Sequence, residues 1–380
     1  MKNKLKFAAA AVSVMLFATG SAYAQSTANS ATTTQTGTTN SAVVDQVLGM
    51  SNIVVVAQTG NANVASVLQT GSIENEVYID QSGLMNTSTV IQDAGMDNDA
   101  DIDQDGDMNV AYVEQTMGED NDAEIDQEGM LNDAAIQQLD AGINNNADID
   151  QDGVGNSAYI GQYGGEDNDA DIDQNGELND TYIGQFAGED NEADIDQDGD
   201  RNYAAILQDA GMDNDADIEQ DGMDNWAETN QIRGVDNDVE VDQDGTDNIA
   251  EATQFEGEDN ESNIDQDGSL NIATTWQEGG VNNLADIDQD GSANLADIYQ
   301  YGGMDNEAYI SQDGDLNVGS ITQSGLGGNV ATLNQMGMMN NGSITQDGLM
   351  NSASTSQYGS GNMSTTTQTG TANSSIINQQ

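Results

Sequence analysis

One motif constrains this chain more than anything else in it: an Asn followed six residues later by a Gln, repeated without a break. The pairs begin Asn29/Gln35, Asn40/Gln46, Asn52/Gln58 and Asn63/Gln69, and end Asn351/Gln357, Asn362/Gln368 and Asn373/Gln379. There are thirty-one of them. Successive Gln positions alternate between spacings of 11 and 12, as in Gln92, Gln104, Gln115 and Gln127, so two units make a coil of 23 residues. The exceptions are a spacing of 13 between Gln138 and Gln151 and a run of 11s after Gln335. A fixed short period of this kind marks a stack of identical structural units, each covering its neighbour's apolar face.

Within a unit the pattern has period two, the signature of a strand. In Asn98-Asp99-Ala100-Asp101-Ile102-Asp103-Gln104, one face carries Asn98, Ala100, Ile102 and Gln104, and the other Asp99, Asp101 and Asp103. The apolar face turns inward and takes the Asn and Gln with it. Between units lies Gln-x-Gly-x-x-Asn (Gln104 to Asn109) or Gln-x-x-Gly-x-x-Asn (Gln92 to Asn98). Glycine supplies the positive φ of a tight reversal, which assigns Gly95, Gly106, Gly118, Gly129, Gly153 and Gly165 to turns. The chain contains no Pro, as an uninterrupted backbone ladder requires.

The expected fold is all-β: a two-sheet solenoid of amyloid-like cross-β type, with two strands per coil and about 15 coils of ~23 residues. At a coil rise of about 4.8 Å it is on the order of 70 Å long. Each inward residue then lies on its own equivalent one coil away. Ile102, Ile125, Ile149, Ile172 and Ile195 form one column, and Ala100, Ala123, Ala147, Ala170 and Ala193 another. Asn98, Asn109, Asn121, Asn168 and Asn191, with Gln104, Gln115, Gln127, Gln174 and Gln197, form polar ladders. A buried amide must be paired, and the expectation is that each bonds the identical side chain above and below it.

Charge decides which chemistries remain. The 380 residues carry 68 acidic and five basic groups, for a net charge of −63, with no Cys and no His. That removes disulfides, thiol and imidazole chemistry, and the usual zinc sites. It also disfavours nucleic acid and anionic lipid as partners. Low hydropathy and high charge by themselves suggest disorder, and the repeat overrides them. Three of the five basic residues are Lys2, Lys4 and Lys6, followed by an apolar stretch from Phe7 to Phe17 and by Ser21-Ala22-Tyr23-Ala24. This predicts a secretory signal over 1–24 cut after Ala24, a single solenoid domain over 25–380, and no membrane insertion. A polysaccharide-processing β-helix would need long inserted loops and basic catalytic residues, so no enzyme is expected.

Gln-x-Gly-x-x-Asn-x5-Gln, as in Gln104-Asp105-Gly106-Asp107-Met108-Asn109 running to Gln115, resembles the curlin repeat of curli amyloid subunits, over essentially all of 29–379. The resemblance implies a functional amyloid fibre subunit of the biofilm matrix, most similar to the major subunit, exported across the outer membrane and polymerised at the cell surface. It implies self-association and, as further partners, a nucleator, an export pore and periplasmic chaperones. The sequence departs from the family in two ways. Only Gln25 to Ala28 stand where the family has an export-addressing segment, and the array is several times longer than the usual subunit.

Alternate units differ on their outward positions. One set forms acidic columns: Asp101, Glu124, Asp148, Asp171, Asp194; then Asp103, Asp126, Asp150, Asp173, Asp196; then Asp105, Glu128, Asp152, Asn175, Asp198. Like charges 4.8 Å apart cost roughly 0.9 kcal/mol per pair in bulk water. These columns are either a solvated, aggregation-limiting face or a weak calcium-binding one, the candidate ligands being Asp101, Asp103, Asp105, Asp148, Asp150, Asp152, Asp194, Asp196 and Asp198. No other cofactor is expected. The other set carries Val110, Tyr112, Tyr159, Tyr182, Tyr203, Leu207, Trp226, Ile249, Ile272, Trp276 and Leu295. That face is either a solvated sheet of high β-propensity or a surface for lateral association or adhesion. Acidic residues crowd the middle of the array, while the first and last coils are nearly neutral. With no capping coil visible, the expectation is a stack that continues by polymerising, against the alternative of a monomeric acidic solenoid that binds calcium or mineral.

Overall fold

The computed structural model describes residues 28–380, so the expected signal over 1–24 lies outside the described residues. Thirty-one strands, β1 to β31 in chain order, form two parallel sheets. The odd strands make a 16-stranded sheet and the even strands a 15-stranded one, each strand pairing with the strand two places on. The chain thus alternates between sheets and climbs one step per coil. A typical coil is β7 (Asp99–Asp107), a short turn, β8 (Val110–Thr116) and a long turn.

The register repeats from coil to coil. Between β7 and β9 (Asp122–Met130), Ala100 lies beside Ala123, Ile102 beside Ile125, Gln104 beside Gln127 and Gly106 beside Gly129. Ile149 continues the column onto Ile172, and Ile172 onto Ile195. Period two selects this register, because a slip of one residue would send every Ile to solvent and every Asp into the core. The isoleucines at 102, 125, 149, 172 and 195 are fully buried. Each burial stabilises by about 1.5–3 kcal/mol.

The irregular spacings are absorbed in turns. The extra residue between Gln138 and Gln151 falls at Asp140-Ala141, both with positive φ (65° and 62°), and pairing resumes with Asn146 beside Asp122. The run of 11s follows a register shift between Gly325 and Gly327, where β26 (Val318–Gly327) meets β28 (Asn341–Leu349). The long turns also stack on one another as a narrow third ladder, in which Met50, Ile73, Met96, Glu119, Ile143, Glu166, Glu189, Met212 and Val235 bridge in succession.

Candidate functional site

The core amides are the first functional feature, since they define what one coil offers the next. Each Gln of the odd sheet donates Nε2 to Oε1 of the Gln one coil on: Gln104 to Gln127 at 2.8 Å, Gln127 to Gln151 at 2.8 Å, Gln151 to Gln174 at 2.8 Å and Gln174 to Gln197 at 3.1 Å. The even sheet runs a second ladder, with Gln92 to Gln115 at 2.8 Å and Gln115 to Gln138 at 2.9 Å. The same nitrogens also reach across the core to backbone carbonyls of the opposite sheet. Gln115 donates to Asp99 O at 2.6 Å, and Gln127 to Val110 O at 3.0 Å. One side chain thus fixes the register along the stack and the distance between the sheets.

The Asn residues form the expected side-chain ladder in part of the array, as at Asn168 and Asn191, and throughout it a bond to the backbone accompanies or replaces that ladder. In most coils Oδ1 of one Asn accepts from the backbone N–H of the next: Asn121 N to Asn98 Oδ1 at 3.0 Å, Asn132 N to Asn109 Oδ1 at 3.1 Å and Asn191 N to Asn168 Oδ1 at 3.2 Å. The amide nitrogen donates into a turn, as Asn98 Nδ2 does to Gly118 O at 3.2 Å and Asn109 Nδ2 to Gly129 O at 3.3 Å. Direct amide-to-amide bonds occur as well, for example Asn168 Nδ2 to Asn145 Oδ1 at 3.1 Å. The Asn column is therefore chiefly a splice between side chain and backbone where each strand begins. A turn places N–H and C=O groups there that no ladder partner satisfies.

The glycines divide into two kinds. In the short turns Gly106, Gly129 and Gly153 have φ of 144°, 111° and 126°, as expected. A Cβ on Gly106 would lie 1.8 Å from the carbonyl oxygen of Gly129, so successive coils meet backbone to backbone. Gly95 and Gly118, in long turns, do not have positive φ, which corrects the reason for their presence. A Cβ on Gly95 would lie 2.0 Å from Nδ2 of Asn98; these glycines leave room for the amide. The left-handed residues of that turn are Ala94 (58°) and Asp97 (53°), then Met117 (59°) and Asp120 (56°). Gly165 combines both roles, with φ of 88° and Nδ2 of Asn168 2.4 Å from its would-be Cβ. The second left-handed position is Asp or Asn in every long turn from Asp97 to Asp305. Short polar side chains tolerate that conformation best, so these acids have a conformational purpose. Asp or Asn directly before the motif Asn was the signal for it.

The outer face of the odd sheet sets carboxylates in rows. Asp101 lies beside Glu124, Asp103 beside Asp126 and Asp105 beside Glu128. Asp148, Asp150 and Asp152 face Asp171, Asp173 and Asn175, which in turn face Asp194, Asp196 and Asp198. The rows run parallel, and among the described residues no three acidic side chains are grouped to hold a metal ion. Partial burial, reinforced by facing carboxylates, makes these carboxyls weaker acids and holds their pKa values above the ordinary carboxylate range. Asp148 and Asp194 are pushed up to about 7, with Asp171 the first facing charge for each. Asp126 and Asp217 reach about 6, facing Asp103 and Glu240 respectively. Asp101, Asp103, Asp150 and Asp196 are raised for the same reasons. The two basic side chains among the described residues are both exposed and paired: Arg201, in a turn, with Asp224 at 2.8 Å, and Arg233, near the end of its strand, with Glu256 at 3.8 Å.

The outer face of the even sheet has a different character. β12 (Ser157–Tyr163), β14 (Asp180–Phe186), β16 (Tyr203–Asp209) and β18 (Trp226–Val235) carry most of its aromatic residues, and β10 (Asp133–Leu139), beside β12, carries none. Tyr159 stacks on Tyr182 at 5.3 Å, Tyr163 on Phe186 at 4.9 Å and Tyr203 on Trp226 at 5.9 Å, all nearly parallel. The rings of β12 and β14 lean over Gly161 and Gly184, where a Cβ would meet them within 3 Å. A hydrogen-bonded chain crosses β8, β10 and β12. Tyr112 donates to Glu114 at 2.7 Å, Gln137 Nε2 to the same carboxylate oxygen at 2.9 Å, and Tyr159 to Gln137 Oε1 at 2.6 Å. The Tyr163 hydroxyl completes it on that of Tyr159 at 2.6 Å. Burial and the Glu114 carboxylate push the Tyr112 hydroxyl up to about 12.

A comparison with curated proteins returns no match. The family model described as the curlin associated repeat matches residues 27–60, 95–129, 118–153, 142–166, 165–188, 188–222, 234–268 and 280–314.

Proposed function

The chain belongs to the curlin repeat family, and from that premise we propose that it is the structural, non-enzymatic subunit of an extracellular curli-like fibre, polymerising by stacking the end coil of one copy on that of the next. The observation that carries this reading is the constancy of the register. Every coil presents to its neighbour the same Gln and Asn columns, with small or apolar residues, or Thr and Ser, at the inward positions between them, so the surface that joins coils within one chain also suits coils of two chains. Strand edges with unpaired N–H and C=O groups are strong templates for such addition. The nearly neutral end coils meet without the repulsion that the central acidic columns would impose.

In this reading the fibre belongs to the biofilm matrix and serves adhesion and cell aggregation. Its subunit is secreted after removal of a signal over 1–24, and a nucleator, an outer-membrane export pore and periplasmic chaperones act on it. A second reading, a monomeric acidic solenoid that binds calcium or mineral, draws on the parallel carboxylate rows. Electron microscopy and sedimentation of purified 25–380, with and without preformed seeds, separate the two. Seedable fibres one solenoid wide support the subunit. A chain that stays monomeric at all concentrations, and binds calcium in that state, sinks it.

A further inference from the structure

The tyrosine column of the even face is interrupted in a way that leaves a shaped notch. In register, Tyr159 lies beside Tyr182, Tyr182 beside Ala205 and Ala205 beside Glu228. The Tyr182 ring is covered by Tyr159 on one side and meets only a methyl group on the other. The Phe186 ring, covered by Tyr163, likewise faces Asp209 in the next coil. The Tyr182 face therefore stands opposite the Glu228 carboxylate on β18, two coil steps or about 9–10 Å away, with the Phe186 face beside it above Asp209 and the Leu207 side chain on the floor between them. Tyr203, backed by the stacked Trp226 ring, closes one end, and Asp209 lies at the other. The cavity so formed measures about 530 Å³, and Ala205 on its floor is only 9% exposed. The equivalent gap at Ala135, between Tyr112 and Tyr159, is spanned by the hydrogen-bonded chain through Glu114 and Gln137. No such bridge crosses Ala205.

We propose that this notch is a binding site for a flat heteroaromatic cation, stacked on the Tyr182 and Phe186 faces with its positive edge toward Glu228 and Asp209. The width suits one ring layer beside Tyr182, since stacked rings take offset, parallel positions at short separation. The aromatic wall and the two carboxylates both favour positive charge over a neutral ring, and the net charge of −63 draws cations toward the whole surface. Burial and the Glu228 charge hold the Tyr203 hydroxyl above its ordinary value, in keeping with a carboxylate close to the notch. The site is built within one chain by β14, β16 and β18, so it exists whether or not the chain polymerises.

Titration calorimetry of the full chain with 1-methylquinolinium, and with neutral quinoline at mildly alkaline pH, tests this. The expected result is one saturable site per chain for the cation and at least about fivefold weaker binding of quinoline. Ala205→Tyr restores the ring found at 159 and 182 and abolishes binding, with the β-sheet circular dichroism unchanged. Glu228→Gln weakens the cation about fivefold and leaves quinoline unaffected. Many weak equivalents per chain, indifferent to both substitutions, would mean counterion condensation on the acidic face and overturn the proposal. So would equal affinity for the two probes.

Discussion

The two outer faces of this solenoid grow from the same backbone and the same core, yet they share almost nothing in chemistry. On the odd sheet, Asp and Glu repeat along each row until partial burial and facing charges push their pKa values upward. On the even sheet, the equivalent positions vary from ring to methyl to acid, and hydrogen bonds and ring stacks knit neighbouring coils together. The inward Asn and Gln positions do not vary at all, each bonded to its copy in the next coil, and the inward positions between them vary only within a narrow range, as in the run Ile206, Thr229, Ala252, Thr275. What the contrast teaches is a division of labour. The repeat specifies the stack, and the outward positions are free to give one face a charge that repels and the other a texture that binds.

The comparison breaks most completely when the shared core is attacked. Ile172→Asp buries an unpaired carboxylate and is expected to cost on the order of 4 kcal/mol or more. A denaturant midpoint far below that of the unchanged chain checks this. Asp171→Asn, one residue away on the acidic face, is expected to raise the midpoint slightly instead.

Acidity sharpens the contrast next. The raised carboxylates of the odd face bind protons more tightly folded than unfolded, so protonation favours the folded stack. That stabilisation is complete below the ordinary carboxylate range, near pH 4. It is lost as pH rises through the values of about 6 and 7 held by Asp126, Asp217, Asp148 and Asp194. Stability and assembly rate should therefore both climb between neutral pH and about 4, and salt or divalent cations should mimic part of the gain by screening. Assembly half-times that do not change over that range would contradict the account of this face. Asp148→Asn with Asp194→Asn should flatten the upper part of the profile, and changes to the even face should not.

Two smaller effects probe the turns and the even face. In Gly129→Ala the methyl would lie 2.1 Å from the carbonyl oxygen of Gly153, at a φ of 111°, for an expected loss of about 1–3 kcal/mol. Gly161→Ala meets only the outer ends of the Tyr159 and Tyr163 rings, which can swing aside, and should cost less in the same thermal or denaturant assay. Tyr159→Phe removes the hydroxyl that donates to Gln137 and accepts from Tyr163. About 1 kcal/mol is expected, with no change in the pH profile.

Much of this was legible from spacing alone. Alternation over Asn98 to Gln104 assigns the strand and its inner face, and the 11/12 rhythm assigns the two turns and the coil. The columns Ile102 to Ile195 then follow, because a stack with one register puts residues 23 apart side by side. The turns were less legible. Glycine stands in both, but in the long turn the positive φ belongs to Ala94 and Asp97, and Gly95 is there to clear the Asn98 amide. Composition does not distinguish a glycine kept for its torsion from one kept for its missing side chain. Likewise an inward Asn reads as a ladder residue whether its Oδ1 meets a neighbouring amide or a backbone N–H, and its reach from the strand's first position adds the latter to the former. The notch at Ala205 was hidden for another reason. It is defined by what the column lacks there, and it appears only when Tyr182, Ala205 and Glu228 are set in register.

The central claim is that one chain supplies its own stack, so that each residue lies beside a different residue 23 positions away and not beside its own copy in another molecule. The chain has no Cys, so spin labels can be placed singly on assembled fibres. Ser157→Cys and Asp133→Cys lie at exposed, directly paired positions of β12 and β10. The account predicts that fibres carrying either label alone show no spin exchange, because copies repeat only about every 70 Å along the fibre. Fibres carrying both show strong coupling at about 5 Å. Exchange-narrowed spectra from the single label at 157 would place identical residues of neighbouring molecules on top of one another and contradict the solenoid.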